Sequence, residues 1–432
     1  MNLVTINLQF FLYVLVSSLQ YPGKIVMENR LQEVLKILET KVIFENQREL
    51  SGMAGTLQSL RELAETIRSE KLPRRPVVEG LDYFFEESQS FSNLSRFSTD
   101  AHFYRILARS CDYFEQGFDP FVKEKVKHLQ DSMGFIEQLT SRIPDLYDES
   151  PLLSLESGIQ LLLWADHLDI DGRPPLSSEG KQSKKPPLHT LIFSKKPYTV
   201  VDQSNELLNH LHSMINKSHS NKPRTVNILV GEIGSELISS LFFCTMLLQL
   251  NVCDRVRLLT KPYPLDVLQC TTRDVVGTIQ YMCDPENSDV WSVRHFGDSL
   301  RSALVTGKII IAEDQLTPLP VEPWALPSAL FTTLQDSDLI LSIGDWNYRW
   351  ILGDLQWEPQ TDPRVVLSYW NPTPICVVNR LRSGICVGVE ELRQTSISDM
   401  DRHWMSSGDW SVIHFIAATN LDDVRACISP PP

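Results

Sequence analysis

A chain of 432 residues with a formal net charge of −14 offers no basic footprint on which a nucleic-acid backbone would be neutralised, so no nucleic-acid partner is expected. A hydrophobic share of 42% supports a substantial core, and the length suits one large unit joined to a smaller one. The eight cysteines form no Cys-x-x-Cys pair and several sit in apolar runs, which points to free buried thiols in a reducing, cytoplasmic setting rather than to disulfides or zinc.

Residues 8–19 are apolar but too short for a membrane span, which needs about 20 residues. No Lys or Arg precedes them and no clear small-x-small cleavage site follows, so residues 1–26 read as an uncertain apolar extension, with secretion the lesser alternative. From Met27 the periodicity is helical, defining a helical domain over 27–170. Leu31, Val34, Leu35 and Leu38 share one face, and Leu57, Leu60, Ala64 and Ile67 another. Ser98 or Thr99 is expected to cap a helix carrying Phe103, Ile106, Leu107 and Cys111 inward. A further helix runs from Leu152 to Ala165.

The composition then breaks. Gly172 to Pro187, with four prolines and three lysines, lies in a linker over 171–198. Strands and helices alternate in a domain over 199–432. Strands are expected at Thr225–Val230, Val256–Leu259, Ile309–Ala312, Leu339–Ile343, Ile375–Val378 and Ser411–Phe415, with an apolar helix from Leu237 to Leu250. The fold class is therefore α/β: a three-layer α-β-α domain with a mostly parallel sheet, preceded by an α-helical domain. His210, His212 and His219 make only a weak metal-ligand cluster in a polar region.

Four segments fall at or beyond the carboxyl ends of these strands: Gly231–Glu236, Asp266–Asp274, Gly344–Arg349 and Asn379–Arg382. One shared crevice is the simplest arrangement. Gly231 and Gly234 let backbone approach a ligand, and the helix after them offers its positive end to an anion. Gly344, Asp345, Trp346, Asn347, Tyr348 and Arg349 end an apolar run with an acceptor, an amide and a cationic fork. Arg349 and Arg382 are candidates to clamp phosphate oxygens. Four residues of these segments also have a structural alternative: Glu236 supporting its helix through the dipole, Asp274 capping a helix after Thr271 or Thr272, Trp346 and Tyr348 packing.

The segments Val230–Leu237, Cys270–Asp274, Ile343–Arg349 and Arg382–Gly388 together resemble the damage-control phosphatases, closest to the branch also linked to protein-glutamate carboxyl methylation. Phe103–Ile106, Phe118–Phe121 and Trp410–Phe415 extend the likeness over most of the chain after about residue 50. The resemblance implies a metal-dependent phosphatase acting on sugar phosphates such as fructose 1-phosphate, with manganese, nickel or magnesium. It implies Asp345 and Asp274 as catalytic groups, and Glu236, Arg382 and the Gly344–Arg349 segment at the substrate.

The family's three metal-binding positions fall here on Gly231, Glu232 and Gln269, of which only Glu232 keeps a carboxylate. Ile343 stands where the family has a lysine, Asn379 where it has an arginine, and Arg382 replaces a lysine. A hard divalent cation depends on anionic oxygens, so these changes should weaken metal binding and phosphoryl-charge stabilisation, unless Glu232, Glu236, Asp266 or Asp345 substitutes. Three readings stay open: an active phosphatase with a rearranged metal site, an impaired relative that binds a sugar phosphate or a protein partner, and an S-adenosylmethionine-dependent carboxyl methyltransferase. For the last, the resemblance implicates Glu236 and Arg61, although the loop at 229–235 lacks Gly-x-Gly spacing.

Overall fold

The computed structural model describes residues 30–69, 95–147, 150–165, 192–216, 222–367, 370 and 373–418. The apolar extension, the Gly172–Pro187 stretch and His219 lie outside the described residues. Seven strands form one sheet: β1 Thr199–Asp202, β2 Thr225–Leu229, β3 Arg255–Thr260, β4 Ile309–Glu313, β5 Leu339–Ile343, β6 Ile375–Arg380 and β7 Ser411–Ile416, in the order β1-β7-β6-β5-β2-β3-β4. From β6 across to β4 all pairings are parallel. The expected mostly parallel sheet is present. β7 runs antiparallel to β6 and parallel to β1, so the last two strands form a reversed edge.

The sheet alternates sides with period two. Leu229, Leu259, Ile340, Val377 and Val412 face a core shared with the amino-terminal helices Arg30–Lys36, Ala54–Arg68 and Arg96–Ser110. Ile228, Leu258, Leu341, Val378 and Ile413 face a second core, shared with the helices Pro151–Trp164, Ser204–Asn216, Ser235–Gln249, Thr272–Cys283 and Trp291–Val305. Residues from the helical half thus join both cores. At Gly158 the helix Pro151–Trp164 lies so close to the helix Ser235–Gln249 that a Cβ would sit 2.7 Å from the Phe243 ring and 2.9 Å from Met246 Sδ.

Helix starts follow local chemistry, with one correction. Ser95, not Ser98 or Thr99, caps the helix Arg96–Ser110 by accepting from the Ser98 N–H at 3.2 Å. Ser98 and Thr99 lie inside its first turn. Ser150 caps the helix Pro151–Trp164, where proline at the first position forfeits no hydrogen bond. The seven described cysteines are free thiols. His210 bonds the Asp338 carbonyl at 3.1 Å while His212 faces Asn216, so the two do not converge. Among the described residues no helix is long and apolar enough to cross a membrane.

Candidate functional site

The order of strands reverses between β2 and β5: the chain goes outward from β2 through β3 to β4, then returns to the far side of β2. Ligands of open α/β sheets bind at the carboxyl side of such a switch point. Here it is formed by the turns after β2 and β5. Gly344 takes φ +91°, and a Cβ there would lie 3.3 Å from Gly231 Cα. The two turns are in van der Waals contact, which only residues without side chains permit.

Glu236, in the first turn of the helix Ser235–Gln249, folds its carboxylate back over this contact. Its Oε1 accepts the Glu232 N–H at 2.6 Å. That oxygen occupies the volume a side chain on Gly231 would need, and the Ile343 carbonyl closes the other side at 2.9 Å from the Cβ position. Glu232 bridges backbone with Gln269 and meets Arg382 Nη1 at 3.4 Å through Oε2. Gln269 is buried with Oε1 unpartnered among the described residues. Gly231, Glu232, Glu236, Gln269 and Arg382 therefore do share one crevice. A cavity of about 590 Å³ opens beside it, lined by Glu232 and Asp266 together with Lys41, Lys123, Lys127 and His128 and the acids Glu45, Glu124 and Asp131 that offset those cations.

Asp345 opens the short helix Asp345–Ile351 directly after Gly344. Burial raises its pKa, against the pull of Arg349, Ser383, Arg96 and Arg382. Its Oδ1 has no hydrogen-bond partner among the described residues, and neither has the Ser383 hydroxyl beside it.

The rest of that segment turns inward. Asn347 is fully buried; its Nδ2 donates to the carbonyls of Ile343 at 2.8 Å, Val230 at 3.2 Å and Leu229 at 3.3 Å, stitching β2 to β5. Its Oδ1 accepts from Lys261 Nζ at 2.5 Å, and that buried ammonium also contacts Asp314 and Thr317. Arg349, expected at a phosphate, is committed elsewhere: Nε bonds Asp354 at 2.8 Å and Nη1 bonds Asp100 at 3.4 Å, while Arg30 takes the other Asp100 oxygen at 2.6 Å. Burial works against the Arg349 charge, and Asp354 and Asp100 more than offset it. Trp346 donates to the Thr317 carbonyl at 2.9 Å and packs against Phe97. Tyr348 is buried with its hydroxyl 3.4 Å from His414 Nε2.

Asp274, expected as a catalytic group, is engaged in the capping box of the helix Thr272–Cys283. Its Oδ2 accepts from the Thr271 N–H and hydroxyl, both at 2.8 Å, and from Lys125 Nζ at 2.7 Å. With the Asp119 contact to Lys125 at 2.9 Å, it ties a helix start to the helical half. The capping alternative is the one the geometry carries.

A family model described as the damage-control phosphatase ARMT1-like domain matches residues 26–396. The chain belongs to this family. Its similar relatives include the damage-control phosphatases ARMT1 of Rattus norvegicus, 24% identical over 69% of this chain and 68% of that protein, and of Danio rerio, 25% identical over 69% and 67%. The protein of that name from Macaca fascicularis is 23% identical over 90% of this chain and 95% of its own length.

The site has few free anionic donors among the described residues. No group of three or more His, Cys, Asp or Glu among the described residues is arranged to hold a metal ion. Gly231 offers no side chain, Gln269 is neutral, Glu232 faces a guanidinium, and Glu236 already accepts a backbone N–H. The residues do not fit the hard divalent cation that the family resemblance implies. Arg61, the methyltransferase candidate, is exposed on the helix Ala54–Arg68, whereas Glu236 lies in the crevice. Lys261 and Arg96 escaped sequence reading, and Ser383 entered it only as part of the Arg382–Gly388 segment. Lys261 follows β3 as Gly344 follows β5, which was the available signal; Arg96 gave none.

Proposed function

We propose that this damage-control phosphatase binds a small phosphorylated, polyhydroxylated metabolite of the sugar phosphate class in the crevice between β2 and β5, and hydrolyses it poorly because the acidic set for a divalent cation is incomplete. The carrying observation is the Glu236 carboxylate seated over Gly231, where a metal-ligating side chain would have to stand. Arg382, at the lip of the crevice, supplies positive charge for a phosphate. Asp345 presents an acceptor for a hydroxyl, held next to Ser383. The cation's contribution in an intact site, charge neutralisation on the transferring phosphoryl group, has no counterpart here.

The test is phosphate release from fructose 1-phosphate by protein stripped of metal and resupplied with manganese, nickel or magnesium, alongside calorimetric binding of the same ester. Binding is expected, with turnover lower by about 10²–10³-fold than in a variant that regains acidic donors at 231 and 269, the scale of losing an electrostatic stabiliser. A second reading has one observation in its favour. Glu232, Glu236 and Asp345 all border the Gly231–Gly344 contact, so substitute carboxylates are at hand. Brisk metal-stimulated turnover by the natural chain would establish that reading and refute the first.

A further inference from the structure

Three polar atoms near the start of the helix Asp345–Ile351 have no hydrogen-bond partner among the described residues and are shielded from solvent: Asp345 Oδ1, Ser383 Oγ and Arg96 Nε. They are complementary in kind, being an acceptor, a hydroxyl able to do both, and a cationic donor. Ser383 stands near enough to Asp345 to favour its charge, yet Asp345 Oδ1 and Arg96 Nε stay unbonded. Buried polar groups are nearly always paired, so such atoms call for a partner that the described residues do not supply.

Arg96 is the member from the other half of the chain. It is the first residue of the helix Arg96–Ser110, and its neighbour Phe97 fixes where that end sits. The Phe97 ring lies 4.7 Å from Trp346, the Arg349 guanidinium stands 5.3 Å from the same ring, and the Phe97 N–H donates to Asp354 at 3.0 Å. One helix start is thereby laid against the other, with Arg96 in the field of Asp345. Of the guanidiniums gathered there, Arg30 is held by Asp100, and Arg349 by Asp354 and Asp100. Arg96 Nε has no such partner among the described residues. Burial and the like charge of Arg349 keep its pKa below the usual arginine range, and Asp100 and Asp345 only partly offset them.

We infer that Arg96 is a ligand-binding residue of the crevice, donating to the anionic group of a polyhydroxylated small molecule whose hydroxyls pair with Asp345 and Ser383. This rests on the sugar phosphate reading above. It makes the helical half part of the binding site, and it gives the crowded cation a purpose: the fold tolerates a poorly compensated charge because the ligand's anion completes it.

The test is calorimetric titration of the wild type, R96Q and R96K with fructose 1-phosphate and, separately, inorganic phosphate, beside denaturant unfolding of each without ligand. R96Q should weaken ester binding by about 10–100-fold, the scale of one charge-assisted hydrogen bond. R96K should lose less, keeping charge without the planar fork. Unliganded R96Q should unfold at or above the wild-type midpoint, which a structural role would not allow. Unchanged affinity in R96Q, or a lowered midpoint, overturns the assignment and leaves the sugar phosphate reading standing. Should R96Q fail to fold, R96K decides: unchanged affinity overturns the assignment, and a several-fold loss with a wild-type midpoint supports it. A wild type that binds inorganic phosphate through Arg96 but not the ester overturns the sugar reading alone. One that binds neither overturns both.

Discussion

At the residue scale, the crevice is governed by what a glycine permits. Gly231 leaves a volume that the Glu236 carboxylate has taken, with the Ile343 carbonyl fixed behind it. Gly231→Asp is therefore expected to destabilise the protein by about 1–3 kcal/mol, as overpacking does. Adding Glu236→Ala should recover part of that loss, so the two changes are strongly non-additive in a denaturant-unfolding cycle; simple additivity would show that the two side chains do not compete. Lys261 sets the other limit. It is fully buried on Asp314, Thr317 and Asn347, and burial lowers its pKa against the attraction of Asp314. Lys261→Met should cost about 3–5 kcal/mol, because a buried carboxylate is left without its cation. An unchanged unfolding midpoint would count against this account. Residue types in the Gly344–Arg349 segment were legible in the sequence, but their partners were not. Arg349 meets Asp100 across 249 positions and Asn347 meets Lys261 across 86, and spacing along a chain carries no trace of such contacts.

At the scale of elements, apolar runs closed by polar residues predicted six of the seven strands to within a residue or two at each end. The omission was β1, four residues long and half exposed towards its end, which presents too short an apolar run to stand out. The reversed direction of β7 was equally hidden, since a strand's polarity depends on the connection that leads to it. That strand carries His414, fully buried, whose pKa burial lowers from 6.5 to about 4. Between those values the unfolded chain binds a proton that the folded chain refuses, so stability falls as the pH is lowered through the window. Over the whole window the loss amounts to about 3 kcal/mol. Unfolding free energies at pH 6.5 and pH 5 should differ more in the wild type than in His414→Gln; equal differences would place the pH response elsewhere.

At the scale of the whole molecule, the expected α/β layering was readable from alternating periodicities, whereas the way the helical half joins it was not. Two buried ionic clusters make that junction. Arg30, Asp100, Arg349 and Asp354 link the first helices to the turn after β5, and Lys125 with Asp119 and Asp274 links the helix Val122–Asp131 to the helix Thr272–Cys283. Lys125→Met should lower stability by about 3 kcal/mol, the lower end for breaking a buried pair, since both carboxylates keep some solvent. Amide exchange should then quicken first in those two helices; uniform quickening would show that the cluster does not hold the junction by itself. The seat of Glu236 over Gly231 has a last consequence, for how such a site changes over successive substitutions. A carboxylate introduced at position 231 finds its place already filled, so that substitution by itself costs stability before any new chemistry can be gained. Of the two substitutions needed there, the one that clears Glu236 from its seat has to come first.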